Sequence, residues 1–284
     1  MTPPTWRIPG WRRQPPAGRS DMSDELVLSI AAWSSGVVHE LAFWSSWLQT
    51  SGLSWPASYT QRLSPDTEID PALGAMLEQV GNGATILDVG AGPVTALGKK
   101  WKQCEFSIRA VDPLAGLYDA LLEMNGVIPI VRTEFAVAEE LSTFFAPASF
   151  DIVHCRNALD HSFDPLRGLI EMLRVAKVGG TVMLRHNRNE AENEKYAGFH
   201  QFNLDARDGT FVIWNRSAEI VVADRLPIEA EITTEFQEAE LLVYIHKKSE
   251  FTDTLSVDRL RDRVKSIISG TLSHFIRAEL AKLA

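Results

Sequence analysis

Three groups of residues in this 284-residue chain have the types and spacing to do chemistry. The first is Asp88-Val89-Gly90-Ala91-Gly92, a carboxylate two residues ahead of a glycine turn. Glycines there let backbone approach a ligand closely, and a helix expected after the turn would add unpaired N–H groups. A pyrophosphate would find Asp88 unwelcome, whereas a ligand carrying a sulfonium and an ammonium group would not. The second is Asp112-Pro113, closing the next apolar segment, where a carboxylate can accept hydrogen bonds from both hydroxyls of a ribose. The third is Asp160-His161, an imidazole that titrates near neutrality beside a carboxylate able to orient it. That pairing suits removal of a proton from a hydroxyl. Plainer roles compete at each place, since Asp residues cap turns and loop histidines pack. His186 and His200 rank behind as acceptor contacts, and His154 reads as a strand residue without chemistry. No His, Cys, Asp or Glu cluster has the sequence spacing of a metal site, so a metal-independent reaction is expected.

These residues need elements to hold them. Thr85 to Val89 is an apolar run suited to a strand covered on both faces. Further strands are expected at Phe106–Val111, Val127–Val131, Ser149–Cys155 and Thr181–Arg185, with closing strands at 229–235 and 241–246. Between them, helices are expected at Thr95–Lys102, Leu114–Met124 and, after Asp164-Pro165 as cap and first turn, through Ala176. Strand alternating with helix implies a doubly wound α/β sheet with right-handed crossovers. Pro129 removes a ladder donor, which points to an edge position for the third strand. Residues 188–210 are polar and read as irregular, and Phe211–Trp214 with Ile220–Ala223 reads as a β-hairpin.

The flanks look like attachments. Residues 1–22 carry no periodicity and read as a flexible leader. Residues 23–80 form an aromatic-rich helical extension, with Leu26, Ile30, Trp33, Val37, Leu41, Trp44 and Leu48 at helical spacing. Six of the eight tryptophans lie in the first 55 residues, placed either to bury this extension or to lid a pocket. Pro71–Val80 is a short helix leading into the core, taken as residues 81–249 with an insert at about 188–226. Residues 250–284 read as a long amphipathic helix that packs on its own domain or joins a second copy in a homodimer.

Composition narrows the partners. A net charge of −9 argues against a general nucleic-acid or anionic-membrane binder. Two cysteines, Cys104 and Cys155, argue against a disulfide framework or a zinc site and favour a reducing compartment. No apolar run reaches membrane-spanning length, and the reading is of a cytoplasmic protein.

As a set, Leu87-Asp88-Val89-Gly90-Ala91-Gly92, Asp112, Phe150-Asp-Ile-Val-His154 with Leu159-Asp160-His161, and Leu173-Arg-Val-Ala-Lys-Val-Gly-Gly180 resemble class I S-adenosylmethionine-dependent methyltransferases of the small-molecule type. The resemblance covers about residues 83–187. It implies a Rossmann-like seven-stranded mixed sheet with helices on both faces and the third strand at an edge. It implies that S-adenosylmethionine is the cofactor, with Asp88, Gly90, Ala91 and Gly92 at its methionine end and Asp112 on its ribose. Pro113 would lie beside the adenine, Ala138 or Glu139 would also touch it, and Asn157 would lie near the methionine portion. Val94 stands where the family has a third glycine, so the turn is expected to be shaped differently. Residues 199–215 are similar to a segment of methyltransferases encoded with glycan assembly genes, which suggests a sugar-type hydroxylated acceptor. A natural-product or amine acceptor and a non-catalytic cofactor-binding scaffold are the alternatives. A nicotinamide-dependent oxidoreductase is disfavoured by Asp88 and by the incomplete glycine pattern.

Overall fold

The computed structural model describes residues 26–28 and 30–252. The leader and the C-terminal helix expected above fall outside the described residues. Four helices precede the sheet: α1 (Ile30–Ser34), α2 (Val37–Gln49), α3 (Pro56–Leu63) and α4 (Pro71–Val80). The periodic stretch expected as one helix is therefore two. The break lies at Gly36, where an added Cβ would sit 2.2 Å from the Phe199 ring, so only a glycine lets that ring close on the turn.

The sheet then builds outward from the centre. Strands β1 (Ala84–Val89), β2 (Phe106–Asp112), β3 (Thr133–Phe135), β4 (Phe150–Arg156) and β5 (Ala176–Asn187) are joined by α5 (Ala115–Met124) and α6 (Pro165–Val175). The short helix α7 (Glu190–Asn193) leads to β6 (Asn203–Arg207), β7 (Thr210–Trp214) and β8 (Glu219–Val221), and β9 (Ala230–Gln237) with β10 (Glu240–Lys247) closes the fold. The large sheet runs β3-β2-β1-β4-β5-β10-β9. The first five strands pair in parallel, and β10 enters antiparallel between β5 and β9. This is the Rossmann-like seven-stranded mixed sheet, with its third strand at an edge.

The apolar residues explain the layering. On β4 and β5, Val153, Val182 and Leu184 face α6, whose Leu169, Met172, Leu173 and Val175 are fully buried. Each such side chain contributes about 1.5–3 kcal/mol. The opposite residues, Ile152 and Met183, meet Leu73 and Leu77 of α4. Helix starts are fixed by carboxylates followed by proline: Asp70 accepts from the amide of Ala72 at 2.8 Å and Asp164 from that of Arg167 at 3.0 Å.

Three segments depart from the sequence expectation. Residues 127–131 are not a strand; Ile128 is 89% exposed, and the edge strand is the shorter β3. The alternating apolar residues there have no neighbouring strand to pair with or face to bury, so pattern alone does not make a strand. No helix follows the glycine turn. Residues 93–104 are irregular, pinned by bridges of Lys100 to Glu68 and of Val94 to Arg132. Gly98 meets the backbone of Glu68 so closely that a Cβ would lie 2.1 Å from its carbonyl oxygen. Finally, residues 203–207 form β6, so the insert is a three-stranded sheet, β6-β7-β8, rather than a lone hairpin. Its polar residues are buried because they are paired: Asp205 accepts from Arg188 at 2.8 Å and from Asn189 at 3.1 Å.

Candidate functional site

The site gathers at the carboxyl ends of β1, β2 and β4, where open α/β sheets bind ligands. The glycine turn leaves β1 with Gly90 at φ +72° and Gly92 at φ +64°, in the left-handed region that favours glycine. The amides of this turn are spent within the fold. Those of Gly90 and Ala91 donate to the Val111 carbonyl at 2.8 and 3.1 Å, and that of Gly92 donates to Asp112 Oδ2 at 3.1 Å. A phosphate therefore finds no free amide cradle here.

Asp88 is buried, and both of its oxygens already have partners. Oδ2 accepts from the Thr95 hydroxyl at 2.5 Å, and Oδ1 lies 2.7 Å from His154 Nδ1. Asp88 and His154 are register partners on β1 and β4, so their side chains share one face of the sheet. His154 lies on β4, and its ring positions Asp88. On the far side of this pair a polar cavity of about 190 Å³ is lined by Arg62, Arg156, Arg185 and His154, with Glu68 and Asp70. The Arg62 guanidinium is held at about 10 by burial and by nearby Arg156, and its Nη1 donates to the Val94 carbonyl at 2.8 Å.

Asp112 bridges two elements. Oδ2 takes the Gly92 amide, and Oδ1 takes the amide of Leu114 at 2.9 Å, just before α5. Burial raises its carboxyl to about 7 against those two amide bonds, with Glu40 and Asp88 adding negative charge nearby. Glu40 is a residue the sequence reading missed. It lies on α2 in the apolar stripe of Val37, Trp44 and Trp47, and a lone carboxylate in such a stripe was the available signal. Its Oε1 accepts from Trp44 Nε1 at 2.7 Å, and Tyr118 also bonds to it. The Trp44 ring stands against Gly92, where a Cβ would come within 2.7 Å of it. The aromatic extension thus both packs and covers the turn.

Asp160, His161 and His200 converge beside this cradle. His161 follows β4, and Asp160 is buried in the same short turn (Leu159–His161). His200 comes from the segment ahead of β6, whose Phe199 stacks on Trp33 at 5.2 Å. His200 Nδ1 lies 2.9 Å from Asp160 Oδ2 and 3.1 Å from His161 Nε2. The other nitrogen of His161 lies 3.9 Å from Glu40 Oε2, and Trp33 Nε1 donates to the His161 carbonyl at 2.8 Å. Burial pushes the Asp160 carboxyl up, but the neighbouring His161 charge, a hydrogen bond from His200 and His186 hold it down to about 2. Burial lowers His200 while the Asp160 bond raises it, with a net rise. Sequence positions 160, 161 and 200 hide this grouping, so the expected lack of a metal-ligand cluster does not describe the folded chain.

The remaining expected residues lie elsewhere in role. His186 is buried behind Asp160, Nδ1 to Oδ1 3.7 Å, and burial takes it down to about 4; it has no surface to offer an acceptor. Glu139 spends Oε1 on the amides of Phe163 and Asp164 at 2.8 and 3.2 Å, so it braces the start of α6 instead of reaching the cradle. Asn157, at φ +46°, accepts from the Asn187 amide at 2.8 Å and ties β4 to β5. Pro113 follows Asp112 in the partly exposed step before α5, and Ala138 opens the short turn holding Glu139.

Three carboxylates, Asp88, Asp112 and Glu40, thus surround a turn whose amides are internally bonded. That donor set fits an adenosine ligand with positive charge at its other end and no phosphate. A family model for a methyltransferase domain matches residues 87–184, from β1 through β5. No curated protein matches the chain. Among solved structures, an S-adenosylmethionine-dependent methyltransferase from Aquifex aeolicus is 16% identical, with 66% of this chain and 92% of that one covered at a TM-score of 0.38. Another from Methanosarcina mazei is 16% identical, with 65% and 100% covered at 0.39. A Galdieria sulphuraria structure described as a sarcosine dimethylglycine methyltransferase is 22% identical at 0.32, and the match spans 41% of this chain and 43% of that one. The matched methyltransferase domain, residues 87–184, carries its motifs on the strands that build the cradle.

Proposed function

We propose that the protein transfers a methyl group to a hydroxyl of a small polar acceptor, a sugar-type or related metabolite. The observation that carries the reading is the Asp160–His161–His200 group at the carboxyl end of β4, next to the carboxylate-lined turn. S-adenosylmethionine, when bound, supplies an electrophilic methyl on a positively charged sulfur. Asp88, Asp112 and Glu40 supply the negative field that favours that charge, and Asp112 takes the ribose hydroxyls. His161 receives the acceptor's proton, and Asp160 with His200 holds the ring and its charge. Most of the acceleration comes from holding the two reactants aligned, and the base adds about 10²–10⁴-fold. Polar groups of the insert meet the hydroxyls of such an acceptor.

A second reading, a protein that uses the fold without catalysis, draws on Trp44 standing against Gly92. Calorimetry with S-adenosylhomocysteine tests the donor site: binding that is lost in Asp112→Ala supports it, and no binding refutes it. Product formation separates enzyme from scaffold, since a cofactor-binding scaffold also binds S-adenosylhomocysteine. Methyl transfer is then assayed on a panel of sugars, phenols and amines with labelled donor. His161→Ala should cut the rate about 10²–10⁴-fold; an unchanged rate and pH profile refute the base assignment.

A further inference from the structure

The three atoms Asp160 Oδ2, His161 Nε2 and His200 Nδ1 form a small triangle, with sides of 2.9, 3.1 and 3.5 Å. As a hydrogen-bond network this arrangement is unfinished. A ring nitrogen carries either one hydrogen or one lone pair. His200 Nδ1 therefore satisfies only one of its two neighbours fully. Behind the triangle, Asp160 Oδ1 and His186 Nε2 are buried with no hydrogen-bond partner among the described residues. Four titratable groups from three segments converge, and hydrogen bonds alone leave two of their atoms unmet.

As ligands of one ion the same distances are regular. Nitrogen and oxygen ligands lie about 2.0–2.2 Å from zinc-class ions, which places neighbouring ligand atoms about 3.0 Å apart at right angles and about 3.4 Å apart at tetrahedral angles. All three sides fall in or next to that range. The ligand chemistry is two imidazoles and one carboxylate, a set taken by zinc, iron, cobalt and related divalent ions. His161 and His200 keep part of their rings exposed, whereas Asp160 is buried, so an ion can enter from the acceptor side. His186 stands on the far side of the Asp160 carboxylate, the place of an outer group that orients a ligand.

We propose that Asp160, His161 and His200 bind one divalent transition-metal ion of the zinc class, through these three atoms, with its open positions toward the acceptor. Ion binding stands independently of methyl transfer; its use in catalysis rests on the reading above. With the ion bound, His161 Nε2 is a ligand, so the base role given to it belongs to the metal-free protein.

The test uses the full chain, stripped with a chelator and titrated with Co²⁺, whose visible absorption reports coordination by nitrogen. One equivalent should bind, and one equivalent of Zn²⁺ should displace it. His161→Ala and His200→Ala should each weaken binding on the order of 100-fold, while His246→Ala leaves it unchanged. Asp160→Asn, which keeps the buried volume, should also weaken it. A variant-free check follows the wild type: Zn²⁺ should protect His161 and His200, but not His246, from acylation by diethylpyrocarbonate, read by mass spectrometry. Absence of saturable Co²⁺ binding, or equal labelling with and without Zn²⁺, overturns the proposal. S-adenosylhomocysteine affinity of the same samples reports the donor site separately, so a failed metal site and a failed methyl-transfer reading are told apart.

Discussion

On the proposed role of Asp112 at the ribose, cofactor binding should be a proton-linked event. In the free protein its carboxyl is raised to about 7, from the usual 3.8, by burial first and then by Glu40 and Asp88. A ribose donates two hydroxyl hydrogens and so selects the ionised form. If the bound carboxyl falls well below 6, the dissociation constant scales as one plus the ratio of protonated to ionised Asp112. That factor is about 11 at pH 6, about 2 at pH 7 and about 1.1 at pH 8, a tenfold change worth about 1.4 kcal/mol. Binding should release about 0.9 proton at pH 6, about 0.5 at pH 7 and about 0.1 at pH 8. The assay is calorimetry with S-adenosylhomocysteine in buffers of different ionisation enthalpy, which gives affinity and proton release together. Glu139 is also raised to about 7 by burial, so Asp112→Asn is the required control. The variant should bind more weakly and lose the slope. A dissociation constant that moves less than threefold between pH 6 and 8, with no proton release, refutes the reasoning. The sign for stability runs the other way. A carboxyl raised on folding is protonated more in the native than in the unfolded chain between pH 3.8 and 7, so stability falls as pH rises through that window. Between pH 5.5 and 8 this one group removes about 2 kcal/mol from the ligand-free protein.

Other perturbations test the frame around the cradle. Thr95→Val removes the hydroxyl that donates to buried Asp88 Oδ2 at 2.5 Å; it should cost about 1–3 kcal/mol in urea unfolding, because the carboxylate keeps its burial and loses a donor. Gly98→Ala puts a Cβ 2.1 Å from the Glu68 carbonyl oxygen, and since that neighbour is backbone it should cost about 1–3 kcal/mol, a fall of about 2–4 °C in melting temperature per kcal/mol. Trp44→Phe shortens the ring against Gly92 and frees Glu40 Oε1; association of S-adenosylhomocysteine, followed by stopped flow, should become faster than in the wild type.

How much of this was readable beforehand depends on the range over which each feature is decided. Strands β1, β2 and β4 and helix α6 were legible because their signals are local: continuous apolar runs, and an Asp-Pro start. The stretch 127–131 was misread because its Ile residues repeat like a strand, yet it lies past the sheet edge, and pairing is decided by neighbours the pattern does not contain. The missing helix after Gly92 has the same origin. Thr95 is held by Asp88, Lys100 by Glu68 and Val94 by Arg132, so long-range bonds win over a weak helical tendency. The cradle at the ends of β1 and β2 was legible because Asp88, Gly90, Gly92 and Asp112 lie within 25 positions of one another; their hold on the donor belongs to the proposal.

Asp160, His161 and His200 were each named from the sequence, but their meeting with Glu40 was not visible, for a physical reason. The side chains come from both attachments: Glu40 from the helical extension and His200 from the insert, meeting His161 from the core. Gly36 and Phe199 explain how that meeting is arranged, since the bare turn admits the ring that carries His200 inward. The expectation of a metal-independent reaction followed from sequence spacing, which does not register that Asp160, His161 and His200 meet in the fold. Each of the three elements is stabilised by its own packing, α2 through Trp44 and Trp47 and the insert through Phe202 and Leu204. Their polar tips are therefore free to be set by function. A family whose sheet and glycine turn hold one donor can change acceptors by changing these two attachments, and in this chain both of them place charge or imidazole at the same point.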